Sequence, residues 1–133
     1  HDISPEENQY QAGLNFTISY KKPFNYIGKE KLLKIKYQKQ VNRFAMFTLK
    51  DCKPGNPLML HEEPIYLEKD IIGKTTSGNY SFNYDKNLSF GYIKSDISDE
   101  MLLNKNLYIE IEKKKYLVDY LQEPLKQGNY KTI

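Results

Sequence analysis

Residues 72–92 read IGKTTSGNYSFNYDKNLSFGY and contain the strongest structural signal in the chain. Apolar, β-branched and aromatic residues form short runs here, and clusters of Ser, Gly, Asn and Asp separate the runs. This alternation is typical of short strands joined by turns. It predicts strands over residues 71–75, 80–84 and 88–93, with a loop at 76–79 and a turn at 85–87.

The same pattern continues on both sides of this stretch. It predicts further strands over residues 41–49, 64–67, 107–112 and 116–121, and a brief helical turn at 101–103 after the sequence SDISDE. Strands that recur about every eight to twelve residues, with turns between them, indicate an antiparallel barrel or sandwich. The predicted fold class over residues 41–133 is therefore mainly β.

Residues 1–40 follow a different pattern. Apolar and polar residues alternate over 13–20 and predict a strand, which Pro23 ends. Residues 27–40 predict a lysine-rich helix with Leu32, Leu33, Ile35 and Tyr37 on one face. Such a strand-helix segment is too small to enclose a core of its own. We therefore interpret residues 1–40 as the trailing segment of an upstream domain and residues 41–133 as a C-terminal β domain with a tail.

Composition limits the partners that the chain can be expected to bind. The 133 residues are 39% hydrophobic and 28% charged, and no apolar run approaches the length of a membrane span. The net charge of +3 is the difference between 20 basic and 17 acidic residues, which is a weak signal for a polyanion partner. The single cysteine, Cys52, favours a reducing compartment. We expect neither a membrane nor a nucleic acid as partner.

Two short motifs are assigned no chemistry. Gly73-Lys74-Thr75 resembles the end of a phosphate-binding loop, but Glu68 occupies the position of the first glycine that such a loop requires. His61 has no metal-ligand partner at the usual spacing. We interpret His61 with Glu62 and Glu63 as a solvated loop cluster, and the pair Asp99-Glu100 in the same way.

The tyrosine-rich run Tyr80, Phe82 and Tyr84 allows two interpretations. Aromatic rings that alternate along one strand could form a stacking platform for single-stranded nucleic acid. They could equally fill the interior of a barrel, where one face of every strand is apolar. We favour the barrel interior.

Several sequence landmarks occur in an order that points to a known family. They include FNYIGKE at 24–30, TTSGNYSF at 75–82, KNLSFGY at 86–92 and QEP at 122–124. With these landmarks, nearly the whole chain resembles the aminomethyltransferase (glycine-cleavage T-protein) family. The run TTSGNYSF followed by KNLSFGY is most similar to the C-terminal region of the dimethylglycine dehydrogenase branch, with the sarcosine dehydrogenase branch next. The resemblance implies an antiparallel C-terminal barrel of six to seven strands, preceded by the strand-helix appendage.

The resemblance also implies a function for a larger polypeptide. An enzyme of this kind would oxidise an N-methylated glycine with FAD in an N-terminal domain, and tetrahydrofolate would take up the one-carbon unit. The flavin fingerprint and the catalytic residues would precede His1, so the chain alone would be inactive and would only complete the folate site. A bacterial cytoplasm or a mitochondrial matrix is the expected location. The alternatives are a plain aminomethyltransferase or a related folate-dependent demethylase, and, in another class, a small barrel that binds single-stranded nucleic acid.

Family positions that touch folate correspond to three residues of this chain. A basic residue after the predicted first strand corresponds to Lys21 or Lys22, where a lysine could attract the glutamate tail of folate as a point charge. A residue near the end of the tail, often tyrosine in the family, corresponds to Tyr130. The chain departs from the family pattern at Gln9 and Gln11, where Pro and an acidic residue are usual. The resemblance implies no catalytic residue and no metal ligand in this chain.

Overall fold

The structure, a computed structural model, describes residues 2–124. Six antiparallel strands form a closed barrel in the order β1-β4-β3-β2-β5-β6. The strands are β1 (Asn42–Leu49), β2 (Pro64–Leu67), β3 (Asp70–Ser81), β4 (Lys86–Lys94), β5 (Leu107–Ile111) and β6 (Lys114–Leu121). The barrel closes where β1 pairs with both β4 and β6. The predicted fold class is confirmed, with six strands.

Side chains alternate between the interior and the surface of the barrel. In β1, for example, Ala45, Phe47 and Leu49 are buried, whereas Phe44 and Met46 are only partly buried. This period of two is the consequence of the pleat, which points successive side chains to opposite faces of a sheet. The core consists mainly of aliphatic residues from all six strands, together with Met59 from a loop and Leu102 from a helix.

Strands β3 and β4 form the hairpin that contains residues 72–92. Two glycines let their backbones approach closely: a Cβ on Gly73 would lie 2.0 Å from the Tyr92 carbonyl oxygen, and one on Gly91 would lie 2.5 Å from the Lys74 carbonyl oxygen. A register shift between Thr75 and Ser77 marks a β-bulge. The bulge lies where a loop was predicted, at 76–79. The strands predicted on the two sides of that loop therefore belong to one long strand.

The first 40 residues contain one two-turn helix, α1 (Lys29–Lys36), within the predicted range 27–40. The strand predicted over 13–20 is absent, and a 3₁₀ helix, Asn15–Thr17, lies in its place. The physical reason is the closure of the barrel: each of its six strands already has two neighbours, so no edge is free to pair with residues 13–20. Phe16 is 79% exposed as a result.

A second helix, α2 (Asp99–Asn104), connects β4 to β5 and contains the predicted turn at 101–103. The Ser98 side chain caps it by accepting a hydrogen bond from the Met101 amide at 3.2 Å. Leu102 is buried in the barrel core, which fixes the helix to the barrel.

Candidate functional site

Asp2 attaches the start of the N-terminal segment, residues 2–40, to the outside of the barrel. Its carboxylate accepts hydrogen bonds from Thr76 Oγ1 at 2.6 Å and Ser77 Oγ at 2.7 Å, and its backbone oxygen accepts one from the Tyr92 hydroxyl at 2.9 Å. Burial opposes ionisation of this carboxyl, but the two hydroxyl donors outweigh it and hold the pKa of Asp2 below its usual value. The donors belong to β3 and β4, so Asp2 is anchored to the hairpin that contains residues 72–92.

Three further hydrogen bonds hold the same segment. The Phe44 amide donates to the Gln11 carbonyl oxygen at 2.7 Å, which joins the segment to the beginning of β1. Gln40 accepts from the Asn8 side chain at 2.8 Å, and its carbonyl oxygen accepts from the Ser95 hydroxyl. The segment is thus attached at both of its ends, and the part between them projects from the barrel.

Lys21 and Lys22 lie in this projecting part, on the loop between the 3₁₀ helix and α1. Both side chains are exposed, and neither forms an ion pair within residues 2–124. The Lys22 ammonium lies 5.8 Å from the centroid of the Phe24 ring, and the Lys22 carbonyl oxygen accepts from Lys29 Nζ at 3.5 Å. The two cations are therefore available to an anionic group.

Tyr20 fixes the chain immediately before these lysines. Its hydroxyl is hydrogen-bonded to that of Tyr10, and Lys36 of α1 lies 5.1 Å from the centroid of its ring. Burial and the contact with Tyr10 raise the pKa of Tyr20. The Tyr26 hydroxyl donates to the Ser19 carbonyl oxygen at 3.2 Å, which closes the loop across its base. The loop that carries Lys21 and Lys22 is held by its own aromatic side chains.

Arg43, the only arginine of the chain, joins the beginning of β1 to residues much later in the sequence. Its guanidinium donates to the Tyr120 hydroxyl at 3.1 Å, to the Ile97 carbonyl oxygen at 3.1 Å and to the Asp99 carboxylate at 2.7 Å. Tyr120 donates to the same carboxylate at 3.0 Å, and Gln122 at 3.4 Å. A guanidinium fork can meet several acceptors in a fixed geometry, which a lysine cannot do.

This cluster of Arg43, Asp99, Tyr120 and Gln122 joins β1, α2 and the end of β6. Burial opposes ionisation of Asp99, but the hydrogen bonds from Tyr120 and Arg43 and the charge of Arg43 keep its pKa below the usual value. The interpretation of Asp99 as a plain solvated residue is therefore wrong. The cluster fixes the point at which the chain leaves the barrel toward its C-terminus.

The structure describes two of the three predicted folate residues. Lys21 and Lys22 lie on the N-terminal segment, and no hydrogen bond or ion pair of residues 2–124 links their side chains to the Arg43 cluster. Tyr130 lies outside the described residues. Sequence reasoning missed Asp2 and the Arg43 cluster as anchors. The single arginine among 20 basic residues was the one available signal for the cluster.

One other sequence interpretation is corrected here. Glu63 is only 9% exposed, because its carboxylate accepts from Thr75 Oγ1 at 2.5 Å and from the Leu60 amide at 2.7 Å. It is a buried structural residue and does not belong to a solvated cluster. Glu62 is exposed and pairs with Lys74 at 2.6 Å, and this contact raises the pKa of Lys74.

The aromatic run also differs from its prediction. Strand β3 ends at Ser81, so Phe82 and Tyr84 lie in the turn before β4 and not on a strand. Phe82 is 69% exposed and packs edge to face on Tyr80, with ring centroids 5.3 Å apart. The prediction that the three rings fill the barrel interior is wrong. Nor do the three rings alternate along one strand, which is the arrangement that the nucleic-acid alternative assumed.

Within residues 2–124, no helix is long and apolar enough to cross a membrane. Over the same residues, no three His, Cys, Asp or Glu side chains come together in an arrangement that could hold a metal ion.

Comparisons with known proteins agree with the barrel geometry. Residues 42–126 match the family described as the glycine cleavage T-protein C-terminal barrel domain. The chain is 32% identical over 127 residues to mitochondrial dimethylglycine dehydrogenase of Rattus norvegicus. This match covers 93% of this chain and 14% of that protein. It is 29% identical over 92 residues to mitochondrial sarcosine dehydrogenase of Homo sapiens, covering 69% of this chain and 10% of that protein.

A solved structure shows the same fold. The glycine cleavage system aminomethyltransferase T from Bartonella henselae superposes with a TM-score of 0.73 at 16% sequence identity, over 97% of this chain and 35% of that one. The chain thus spans only a small part of the relatives that it matches. The resemblance drawn from the landmarks is confirmed, and the chain belongs to the glycine cleavage T-protein C-terminal barrel family.

Proposed function

We propose that this chain is the C-terminal part of a longer folate-dependent enzyme similar to dimethylglycine and sarcosine dehydrogenases. Such an enzyme would oxidise an N-methylated glycine and pass the one-carbon unit to tetrahydrofolate. The observation that carries the proposal is the match to a dimethylglycine dehydrogenase, which covers 93% of this chain and only 14% of that protein. Residues 41–133 would be the barrel domain that completes and covers the folate site, and residues 1–40 would belong to the domain before it.

Tetrahydrofolate is compatible with the residues that the resemblance selected. Its glutamate tail carries carboxylates, and Lys21 and Lys22 offer two exposed ammonium groups without a carboxylate partner among residues 2–124. An exposed ammonium attracts a carboxylate as a point charge, so the contribution to binding is modest and sensitive to salt. We assign these lysines to binding and assign no catalytic residue to the chain.

FAD does not fit residues 2–124, because the closed antiparallel barrel offers no strand-turn-helix unit with a glycine-rich turn. The printed sequence contains no G-x-G-x-x-G motif either. In the proposed enzyme FAD would bind before residue 1 and would take up the electrons of the oxidation.

A titration of tetrahydrofolate into the full-length gene product tests the role of the lysines. We expect Lys21→Ala combined with Lys22→Ala to weaken binding by up to about thirtyfold, since each exposed charge contributes up to about 1 kcal/mol. Lys53→Ala combined with Lys69→Ala removes the same charge from exposed positions elsewhere and is the matched control. Equal effects of the two double variants would refute the assignment.

Tyr130 is tested separately, because its assignment comes from the family resemblance. Tyr130→Ala in the full-length protein should weaken tetrahydrofolate binding while the melting temperature stays unchanged. Tyr130→Phe separates the ring from the hydroxyl, because it retains the ring surface and removes only the hydrogen bond. Unchanged affinity in Tyr130→Ala would remove the tail from the folate site.

A plain aminomethyltransferase is the second candidate, since the Bartonella henselae protein that shares the fold carries that name. The sequence before residue 1 separates the two. A glycine-rich strand-helix unit several hundred residues upstream supports the dehydrogenase, and a folate domain without it supports the transferase. The rat and human relatives are named as mitochondrial, so a mitochondrial matrix is the proposed location in a eukaryote and the cytoplasm in a bacterium.

A further inference from the structure

A depression on the barrel surface is formed by the loop that follows β1 and by the start of β6. Its volume is about 340 Å³, and its lining includes one acidic residue, Asp51, and three lysines, Lys50, Lys53 and Lys114. All four of these residues are exposed. A volume of this order is at the lower end of the range for sites that bind small molecules. We call this surface the basic depression.

Two of the three ammonium groups have no carboxylate partner in the described part of the chain. Lys50 pairs with Asp119 at 3.0 Å, whereas neither Lys53 nor Lys114 forms an ion pair there. The Lys114 ammonium lies 4.9 Å from the centroid of the Tyr116 ring, which also lines the basic depression. This ring contact leaves the positive charge uncompensated. Cations around one concave surface raise the local potential and attract anions.

The loop that carries two of these lysines is held in one shape by a buried residue of β4. Asn87 is 1% exposed; its side-chain amide donates to the Pro57 carbonyl oxygen at 2.9 Å, and its backbone amide donates to Cys52 Sγ at 3.1 Å. The backbones of Lys53 and Asn56 exchange two hydrogen bonds, at 2.8 and 2.9 Å. The loop is therefore ordered without a ligand, so less conformational freedom is lost when a ligand binds.

The chemistry of the lining favours a phosphate group as the anion. Among the described residues that line the basic depression, three are lysines and none is an arginine. A planar carboxylate is matched best by a guanidinium fork, whereas a lysine acts as a point charge and is a common phosphate ligand. A phosphate monoester carries about −1.5 to −2 charges at pH 7 and offers three acceptor oxygens, so several lysines can contact it. The Asn56 side chain, in the same lining, is a further donor type.

From these observations we infer that the basic depression binds a small phosphorylated compound, with a phosphate group between the ammonium groups of Lys53 and Lys114. Asp51 limits the affinity, because its carboxylate repels the ligand. The inference goes beyond the proposed function and does not depend on it, since none of the three residues assigned to folate lines the basic depression.

The single cysteine provides the test, because Cys52 is half-buried and lines the same depression. Its alkylation by iodoacetamide, an uncharged reagent, is followed in the 133-residue chain while inorganic diphosphate is added at constant ionic strength. Because alkylation requires access to the sulfur, we expect the rate to fall saturably, by about threefold or more. The diphosphate concentration at half-maximal protection then measures the affinity.

Three variants locate the anion. Lys53→Ala combined with Lys114→Ala should raise the half-maximal concentration by about fivefold or more, since each exposed charge pair changes affinity by up to about fivefold. Lys69→Ala combined with Lys105→Ala removes two exposed lysines outside the lining and is the matched control, with a change below about twofold. Asp51→Asn should lower the half-maximal concentration by about twofold. A general loss of folding cannot produce shifts in opposite directions.

Several outcomes would overturn the inference. Unchanged alkylation in the presence of diphosphate would remove the site, and equal shifts in the two double variants or no shift in Asp51→Asn would place the anion elsewhere. Equal protection by citrate at the same ionic strength would show a response to charge alone, without a preference for phosphate. Protection by a single-stranded oligonucleotide but not by diphosphate would indicate a nucleic acid in place of a small phosphorylated compound.

Discussion

Thr75 shows how a single buried hydroxyl holds a loop in place. Its Oγ1 donates to the Glu63 carboxylate at 2.5 Å and accepts from the Glu63 amide at 3.0 Å. Thr75→Val keeps the volume but leaves the carboxylate with one donor fewer. We expect the free energy of unfolding to fall by about 2 kcal/mol in urea denaturation. Thr48→Val, at a buried threonine of β1, is the matched control, and equal losses would contradict this role.

Asp99 makes the stability of the chain depend on pH. Its pKa is lowered in the folded state, so its contribution is fully present above the ordinary value of 3.8 and is lost as the pH falls through the lower folded value. Asp99→Asn should therefore be less stable than the wild type at pH 7, and the difference should shrink below about pH 4. Denaturation at pH 7 and pH 3 measures it. Asp96→Asn, at an exposed residue, is the control, and a difference independent of pH would contradict the prediction.

At the scale of the secondary structure elements, the hairpin of β3 and β4 depends on the close approach of its two backbones at Gly73 and Gly91. Because a Cβ at position 91 would lie 2.5 Å from the Lys74 carbonyl oxygen and 2.9 Å from Ile65 Cδ1, Gly91→Ala forces the backbones apart. We expect a loss of about 2 kcal/mol or more in the free energy of unfolding. Asn83→Ala, in the exposed turn of the same hairpin, should change it by less than about 0.5 kcal/mol. A Gly91→Ala protein as stable as Asn83→Ala would show that the strands can separate without cost.

The strands were predictable because their signals are local. Residues 64–67 were predicted as a strand and form β2 with the same bounds, and four other strands were found with errors of a few residues at their ends, whereas β3 was predicted as two strands. The bulge between Thr75 and Ser77 was not predictable, since Ser, Gly and Asn in that run are typical of a turn. The missing strand at 13–20 depended on barrel closure, which no local pattern reveals.

The long-range contacts of Arg43 and Asp2 could not be predicted from the sequence for a related reason. Arg43 meets Asp99 and Tyr120 across 56 and 77 positions of sequence, and Asp2 meets Thr76 across 74. Side chains so far apart are brought together only by the strand order. The family resemblance supplied Lys21, Lys22 and Tyr130, and their role in folate binding stays a prediction.

On the scale of the whole molecule, the barrel should fold without the N-terminal segment. Every residue of the hydrophobic core cluster lies between Ala45 and Val118, so removal of residues 1–40 leaves that cluster intact. The deletion does remove the five hydrogen bonds made by Asp2, Gln11 and Gln40 to the barrel. At about 1 kcal/mol for each bond, we expect a loss on the order of 5 kcal/mol with cooperative unfolding retained.

Urea denaturation of residues 41–133, followed by circular dichroism and tyrosine fluorescence, measures this. Coincident transitions with the two probes would support a domain boundary near residue 40. Asp2→Ala in the complete chain is the matched comparison, because it removes the carboxylate anchor and leaves the rest of the segment in place. Since Gln11 and Gln40 would still hold the segment, that variant should lose less stability than the deletion. A deletion protein without a cooperative transition would mean that the segment is part of the barrel's folding unit, and the boundary at residue 40 would be wrong.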